Sequence, residues 1–220
     1  MRIKTGGSDT EKNKKLLAYE ILKNRIISNE LKPLEYLNEK VLCEELGVSK
    51  TPIREALQHL EQNRFVVIIP NKGCFVSNIG LDLIREVFEM REIHECAAAR
   101  IAATRPNREF FKELLEQEDS FEPKSLENAK QKLLSGYQIH KKIIDFIGNS
   151  LLSDFYQIVL DHIVRIRIYF FNKFDNRRLQ ETADEHQKIL EAILAGDPEK
   201  AEVAMQEHLE NALTAIKQMI

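Results

Sequence analysis

Apolar residues in the first third of the chain recur at helical spacing and then switch to a strand rhythm. Ala18, Leu22 and Ile26, with Tyr19 beside them, form one stripe and predict a first helix. Pro33 closes that region. Leu37-Asn38 opens a second, short helix: Asn38 can cap it, and Leu37, one place earlier, can fold onto Leu42. Gly47 stands where a left-handed residue is wanted to end it. The turn Val48-Ser49-Lys50 leads into a third helix. Pro52 suits its first turn, and Ile53, Ala56, Leu57 and Leu60 line one face. Phe65-Val66-Val67-Ile68-Ile69 and Cys74-Phe75-Val76 are β-prone runs on either side of a Pro70-Asn71-Lys72-Gly73 turn. Helix, helix, turn, helix, hairpin is the order of a winged helix-turn-helix.

After Ser77-Asn78-Ile79-Gly80 the pattern is helical throughout. Six helices are predicted, at about 81–104, 108–120, 124–147, 150–173, 177–195 and 198–219. They are broken at Arg105-Pro106-Asn107, Glu122-Pro123, Gly148-Asn149, Asp175-Asn176 and Gly196-Asp197-Pro198, each with a residue suited to stopping or capping a helix. The expected fold is mainly α: a winged helix-turn-helix over residues 1–78, then a six-helix antiparallel bundle over 79–220.

Composition narrows the class. Of 220 residues, 43% are hydrophobic and 30% charged, which suits a globular chain with a packed core. No apolar run reaches the ~20 residues that cross a bilayer. Met1 to Thr10 has no apolar core of the secretory kind, so a cytoplasmic location without membrane contact is expected. Cys43, Cys74 and Cys96 are odd in number and widely spaced, which indicates neither a disulfide framework nor a cysteine zinc site. The net charge of −3 is unevenly spread. Residues 1–76 hold 13 Lys/Arg against 10 Asp/Glu, and the remainder hold 19 against 25. A basic front and acidic rear point to an anionic partner at the front.

The third helix has the division of faces that groove reading needs. Opposite its apolar stripe lie Thr51, Arg54, Gln58 and Gln62, with Lys50 at the N-terminal flank. Arg54 can donate twice to guanine O6 and N7, and Gln58 can pair with adenine. Lys40 is placed to meet phosphate. Lys72 and Gly73 form a compact tip able to approach the backbone or the minor groove. Taken one at a time, these residues also fit an ordinary solvated face; the ordered combination carries the reading.

The run Cys43-Glu44-Glu45-Leu46-Gly47-Val48-Ser49-Lys50-Thr51-Pro52-Ile53-Arg54-Glu55-Ala56-Leu57, continued by Leu60-Glu61 and Pro70-Asn71-Lys72-Gly73, resembles the signature of the GntR superfamily of bacterial regulators. The resemblance matches Lys40, Lys50, Arg54 and Gly73 to DNA-contacting positions. Lys50 stands where the family usually has Arg, which keeps the charge but loses the planar fork, so a phosphate contact suits it better than a base contact. The rear resembles the FadR-like branch with its all-helical FCD effector domain. The stretches that carry this are Met90-Arg91-Glu92-Ile93-His94-Glu95 with Ala97-Ala98-Ala99, His140 through Gly148-Asn149, Glu185-His186 through Gly196-Asp197, and Met205 with His208-Leu209.

Three of the six histidines lie on apolar stripes: His140 with Tyr137 and Ile144, His186 with Ile189 and Ile193, and His208 with Met205 and Ala212. The midpoint of 186 and 208 is 197, in the turn between the last two helices, so these two imidazoles can face each other across an antiparallel hairpin. With His140 they could form a set of nitrogen ligands for a divalent metal such as Zn or Ni. Alternatively, they are core histidines bonded to neighbours or water. The resemblance implies three His and one Asp, the Asp four residues before the first His; here that position is Gly136. Water or an effector carboxylate could complete such a site, or the metal could have been lost. His94 is another conceivable ligand; Asp145 is on the helix of His140 but on a different face. Arg91 is either an effector clamp, gripping a carboxylate with its fork, or the partner of Glu95 four residues on.

These features suggest a ligand-responsive transcriptional regulator, of the repressor kind, that binds a near-palindromic operator in double-stranded DNA as a homodimer and responds to a small carboxylate. No catalytic residues are expected. One alternative is a three-His metal-dependent hydrolase with an appended DNA module, although HExxH is absent. A ligand-blind dimeric DNA binder is the other.

Overall fold

In the computed structural model the described residues are 8–119, 126–173 and 176–220. The chain divides into two compact units, Met1–Ile79 and Gly80–Ile220.

In the first unit, α1 (Ser8–Ile27) packs on α3 (Lys50–Gln62), and α2 (Glu39–Leu46) packs beside α3. Tyr19, Leu22, Ile26, Leu37, Leu42, Ile53, Leu57, Leu60 and Phe65 form one buried cluster. Asn38 caps α2 by accepting from the Lys40 and Val41 amides at 2.9 and 3.3 Å. Gly47 ends it with φ +64°. Lys50, read as a turn residue, is the first residue of α3, which follows Ser49 without a side-chain cap.

The hairpin is β2 (Val66–Ile69) and β3 (Gly73–Val76), antiparallel, with Ile69 opposite Gly73. A third strand, β1 (Tyr36–Leu37), pairs with the free side of β3 and gives the sheet order β1-β3-β2. The sequence reading missed β1 because two residues carry no alternation to detect; the strand exists because β3 offers an open edge.

The second unit is helical: α4 (Leu81–Arg91), α5 (Ala97–Thr104), α6 (Phe110–Asp119), α7 (Leu126–Phe146), α8 (Ser150–Phe170), α9 (Asn176–Ala195) and α10 (Pro198–Lys217). The helix expected over 81–104 is present as α4 and α5, joined by a π-helical turn at Glu92–Cys96. Asn149 caps α8 and Asp197 caps α10, with Pro198 following at the first helical position. The break expected at Glu122-Pro123 lies outside the described residues, as does Asp175. Ala98, Ala99, Ala102 and Ala103 give α5 a smooth buried face, against which α9 and α10 pack closely.

Candidate functional site

Two groups of residues stand out, one in each unit. The first is the outer ridge of α3. Its sole is sealed: Ile53, Ala56 and Leu60 are fully buried. Lys50, Thr51, Arg54 and Gln58 all face solvent on the other side. Arg54 Nε donates to Glu39 Oε2 on α2 at 2.8 Å, a partner that sequence spacing did not suggest. The bond tethers one edge of a guanidinium whose side chain is otherwise 60% exposed. Lys40 projects into solvent near Glu44. Lys72 is exposed at the hairpin tip, where Asn71 takes φ +61°. Gly73 has φ +108°, and a Cβ there would come within 2.5 Å of Tyr36 Cε2. Glycine is therefore required by the approach of β1 as well as by the turn.

The second group lies inside the bundle. His140 on α7, His186 on α9 and His208 on α10 are each at most 1% exposed. Their ring centroids are 4.8 to 5.2 Å apart, and one nitrogen of each lies within 4.8 Å of the others. The symmetry of 186 and 208 about the hairpin turn thus brings their rings together.

Carboxylates orient two of the rings. Glu95 Oε2 lies 2.7 Å from His140 Nδ1, and Glu185 Oε2 lies 2.8 Å from His208 Nδ1. A carboxylate can only accept, so each Nδ1 carries the proton and each Nε2 presents a lone pair. His208 Nε2 is buried without a hydrogen-bond partner. Burial holds both His140 and His208 below the usual imidazole range, against the pull of Glu95 on His140, so both rings are neutral at pH 7. Neutral imidazoles backed by carboxylates are what a divalent cation requires.

The donor set nevertheless stops at three nitrogens. Gly136 lies next to the cluster: a Cβ on it would meet His186 Cε1 at 3.2 Å. No carboxylate stands in for the missing Asp among the described residues. His94 lies outside the cluster of three, with its Nδ1 bonded to the Met90 carbonyl at 2.6 Å. Asp145 is tied to Lys141 and Ser153 and lies outside the cluster. The three histidines therefore fit a metal that takes its remaining ligands from elsewhere.

Of its two expected roles, Arg91 takes that of partner to Glu95. It is fully buried, and its Nε donates to Glu95 Oε1 at 2.7 Å. Its Nη2 reaches 3.5 Å from His140 Nε2, while Nη1 has no partner. Glu95 also accepts from Tyr156 Oη at 2.6 Å and is pushed well below the carboxylate range by Arg91 and His140, despite its burial. Glu95 comes from the π turn, a feature that recurs at functional sites. Sequence reading named it only as a partner for Arg91; its bond to His140 crosses between helices, beyond the reach of helical spacing.

Residues 86–211 match the FCD domain model, and residues 15–76 match the model of the bacterial regulatory proteins of the gntR family. The HTH-type transcriptional repressor GlaR of Escherichia coli K12 is 25% identical over 207 residues, spanning 91% of this chain and 94% of that protein. The repressor RspR of the same organism is 26% identical, spanning 91% and 88%. Among solved structures, E. coli McbR/YncC superposes with a TM-score of 0.70 at 22% identity, over 93% of this chain and 97% of that one. A GntR-type regulator from Rhodococcus sp. RHA1 gives 0.68 at 20%, over 94% and 98%.

Proposed function

From the premise that this chain belongs to the GntR family of bacterial regulatory proteins and carries an FCD domain, we propose that it is an effector-responsive repressor. The family is one of DNA-binding transcriptional regulators, not enzymes, and the hydrolase alternative is set aside. The observation that carries the reading is the exposed ridge of Lys50, Thr51, Arg54 and Gln58 over a sealed apolar sole. Such a ridge can enter a major groove without costing the core anything.

In this reading Arg54 and Gln58 meet base edges, Thr51 lies at the entry of the helix, and Lys40, Lys50 and Lys72 meet phosphates. Gly73 lets the hairpin tip approach the duplex closely. Two copies of the chain bind the two halves of a near-palindromic operator as a homodimer in the cytoplasm. The FCD domain takes a small carboxylate at Arg91, and the effector shifts the population between DNA-competent and incompetent states. A divalent metal such as Zn or Ni fits on His140, His186 and His208. When bound it would supply a fixed positive charge for the effector; Gly136 leaves its fourth position to water or to that ligand.

The test is fluorescence anisotropy with the DNA upstream of the protein's own gene against a random duplex at moderate salt. Preference for the upstream duplex, altered by a small carboxylate, is expected. Equal binding to both duplexes would remove the proposal.

A further inference from the structure

The three histidines are buried, so a cation that reaches them needs a way in. A polar groove of about 470 Å³ lies between α9 and α10, the two helices that carry His186 and His208. Four carboxylates line it, those of Glu181, Asp184, Glu185 and Glu207, against two cations, Arg178 and Lys188. Asp184 and Glu207 are exposed, and among the described residues neither has an ion-pair partner. A cleft with an excess of one charge and low-dielectric walls concentrates ions of the other sign. Carboxylates along a helix pair would by themselves mean only a solvated face. Here the same groove reaches His208.

Burial is graded along it. Asp184 and Glu207 are open to solvent, the Glu185 side chain is 13% exposed, and His208 is fully buried. Glu185 joins the two ends. It accepts from Arg178 at 2.8 and 2.9 Å and from Asn211 Nδ2 at 2.9 Å, all lining the groove. It also accepts from His208 Nδ1 at 2.8 Å. His208 Nε2, the lone pair that a cation would take, is buried without a hydrogen-bond partner. Arg178 therefore holds the one carboxylate that connects groove and cluster. A dication that replaces the guanidinium at Glu185 leaves no buried charge stranded. Carboxylates suit harder ions and imidazole suits zinc, so the preference of the ligands runs inward.

We infer that the groove between α9 and α10 is the port through which a divalent cation enters and leaves the three-histidine cluster. Asp184 and Glu207 gather the cation at the mouth, and the Arg178–Glu185 pair is the gate. The inference rests on the reading of the cluster as a metal site and adds the route, which the ligand set does not specify.

The test times zinc in and out of the full chain, prepared without a histidine tag and treated with chelator. Uptake is followed by stopped flow with zinc carried on a weak fluorescent indicator, and release by mixing the loaded chain with excess chelator. Asp184→Asn combined with Glu207→Gln should slow uptake by about three- to tenfold and flatten its dependence on salt. Asp82→Asn combined with Glu89→Gln removes the same charge from α4, outside the groove, and should keep the uptake rate of the parent. Arg178→Gln should speed uptake and release together, because opening a gate lowers the barrier in both directions. Equal slowing by the groove pair and the α4 pair would reduce the effect to net charge and overturn the port. So would an Arg178→Gln chain that melts like the parent and keeps both of its rates. If that variant melts early, the groove pair alone decides. Equilibrium titration of the same samples separates the two readings. Stoichiometric zinc that is lost in His186→Ala, with rates indifferent to the groove, would sink the port and leave the metal site standing. A parent that takes up no stoichiometric zinc would remove the metal reading, and the port with it.

Discussion

At the scale of single residues, the two units use buried and exposed arginine in opposite ways. Arg54 is exposed and held by one bond to Glu39, so its binding capacity faces outward. Arg54→Ala should cost about 1–3 kcal/mol of operator affinity and relax base preference at one position, measured by anisotropy against single-base operator variants. Glu39→Gln should weaken binding less, since it removes the orienting charge and leaves the contact. Arg91 is buried and depends on Glu95. Glu95→Gln leaves that guanidinium without a counter-charge and should destabilise the bundle by about 3–5 kcal/mol in urea melts. A loss below about 1 kcal/mol would mean that Arg91 finds another partner. Gly136→Asp places a carboxylate beside His186 and should raise affinity for zinc by tenfold or more in competition titrations.

At the scale of elements, what matters is how helices carry charges into the core. The π turn between α4 and α5 presents Glu95 to Arg91, His140 and Tyr156 together. This packing sets a pH dependence. Burial keeps His140 and His208 from protonating, whereas the unfolded chain takes up protons near the ordinary value of 6.5. The unfolded state therefore binds more protons as pH falls below that value, and stability falls with it. The slope should approach 1.4 kcal/mol per pH unit for each imidazole, about 2.8 for both. Glu95 adds a further loss at lower pH, because its depressed carboxyl stays charged after unfolded carboxylates near 4.3 have protonated. Melts of chelator-treated protein between about pH 5 and 7.5 should show stability rising with pH. A flat profile would mean that the imidazoles protonate in the folded state. In the hairpin, Gly73→Ala should destabilise the first unit by about 1–3 kcal/mol, because φ +108° and the approach of Tyr36 both oppose a Cβ.

At the scale of the whole molecule, net charge is a poor guide to partner. The chain is acidic overall, at −3, yet the unit with the exposed ridge carries the basic balance. Operator affinity should therefore fall steeply with salt. A dimer placing Lys40, Lys50 and Lys72 of both copies on phosphates makes six such contacts and predicts a slope near −5 in log affinity against log salt. Sedimentation of the protein with and without operator should give a two-chain species. A slope near half that value with a monomeric complex would rule out the dimeric reading.

The sequence by itself determined the local grammar: where helices start and stop, the cap at Asn38, the left-handed Gly47, and the sealed and open faces of α3. These follow from backbone preference and periodic burial, both written within a few residues of each other. It also placed His186 opposite His208, because an antiparallel hairpin turns chain distance into height. The tertiary structure decided what depends on neighbours far apart in the chain. β1 forms on an edge that β3 provides; Glu39 on one helix orients Arg54 on another; Glu95 turns the His140 ring; Arg167 stacks on the Tyr137 ring of a different helix. A buried charge has no local signature, since its cost and its partner are set by what packs around it.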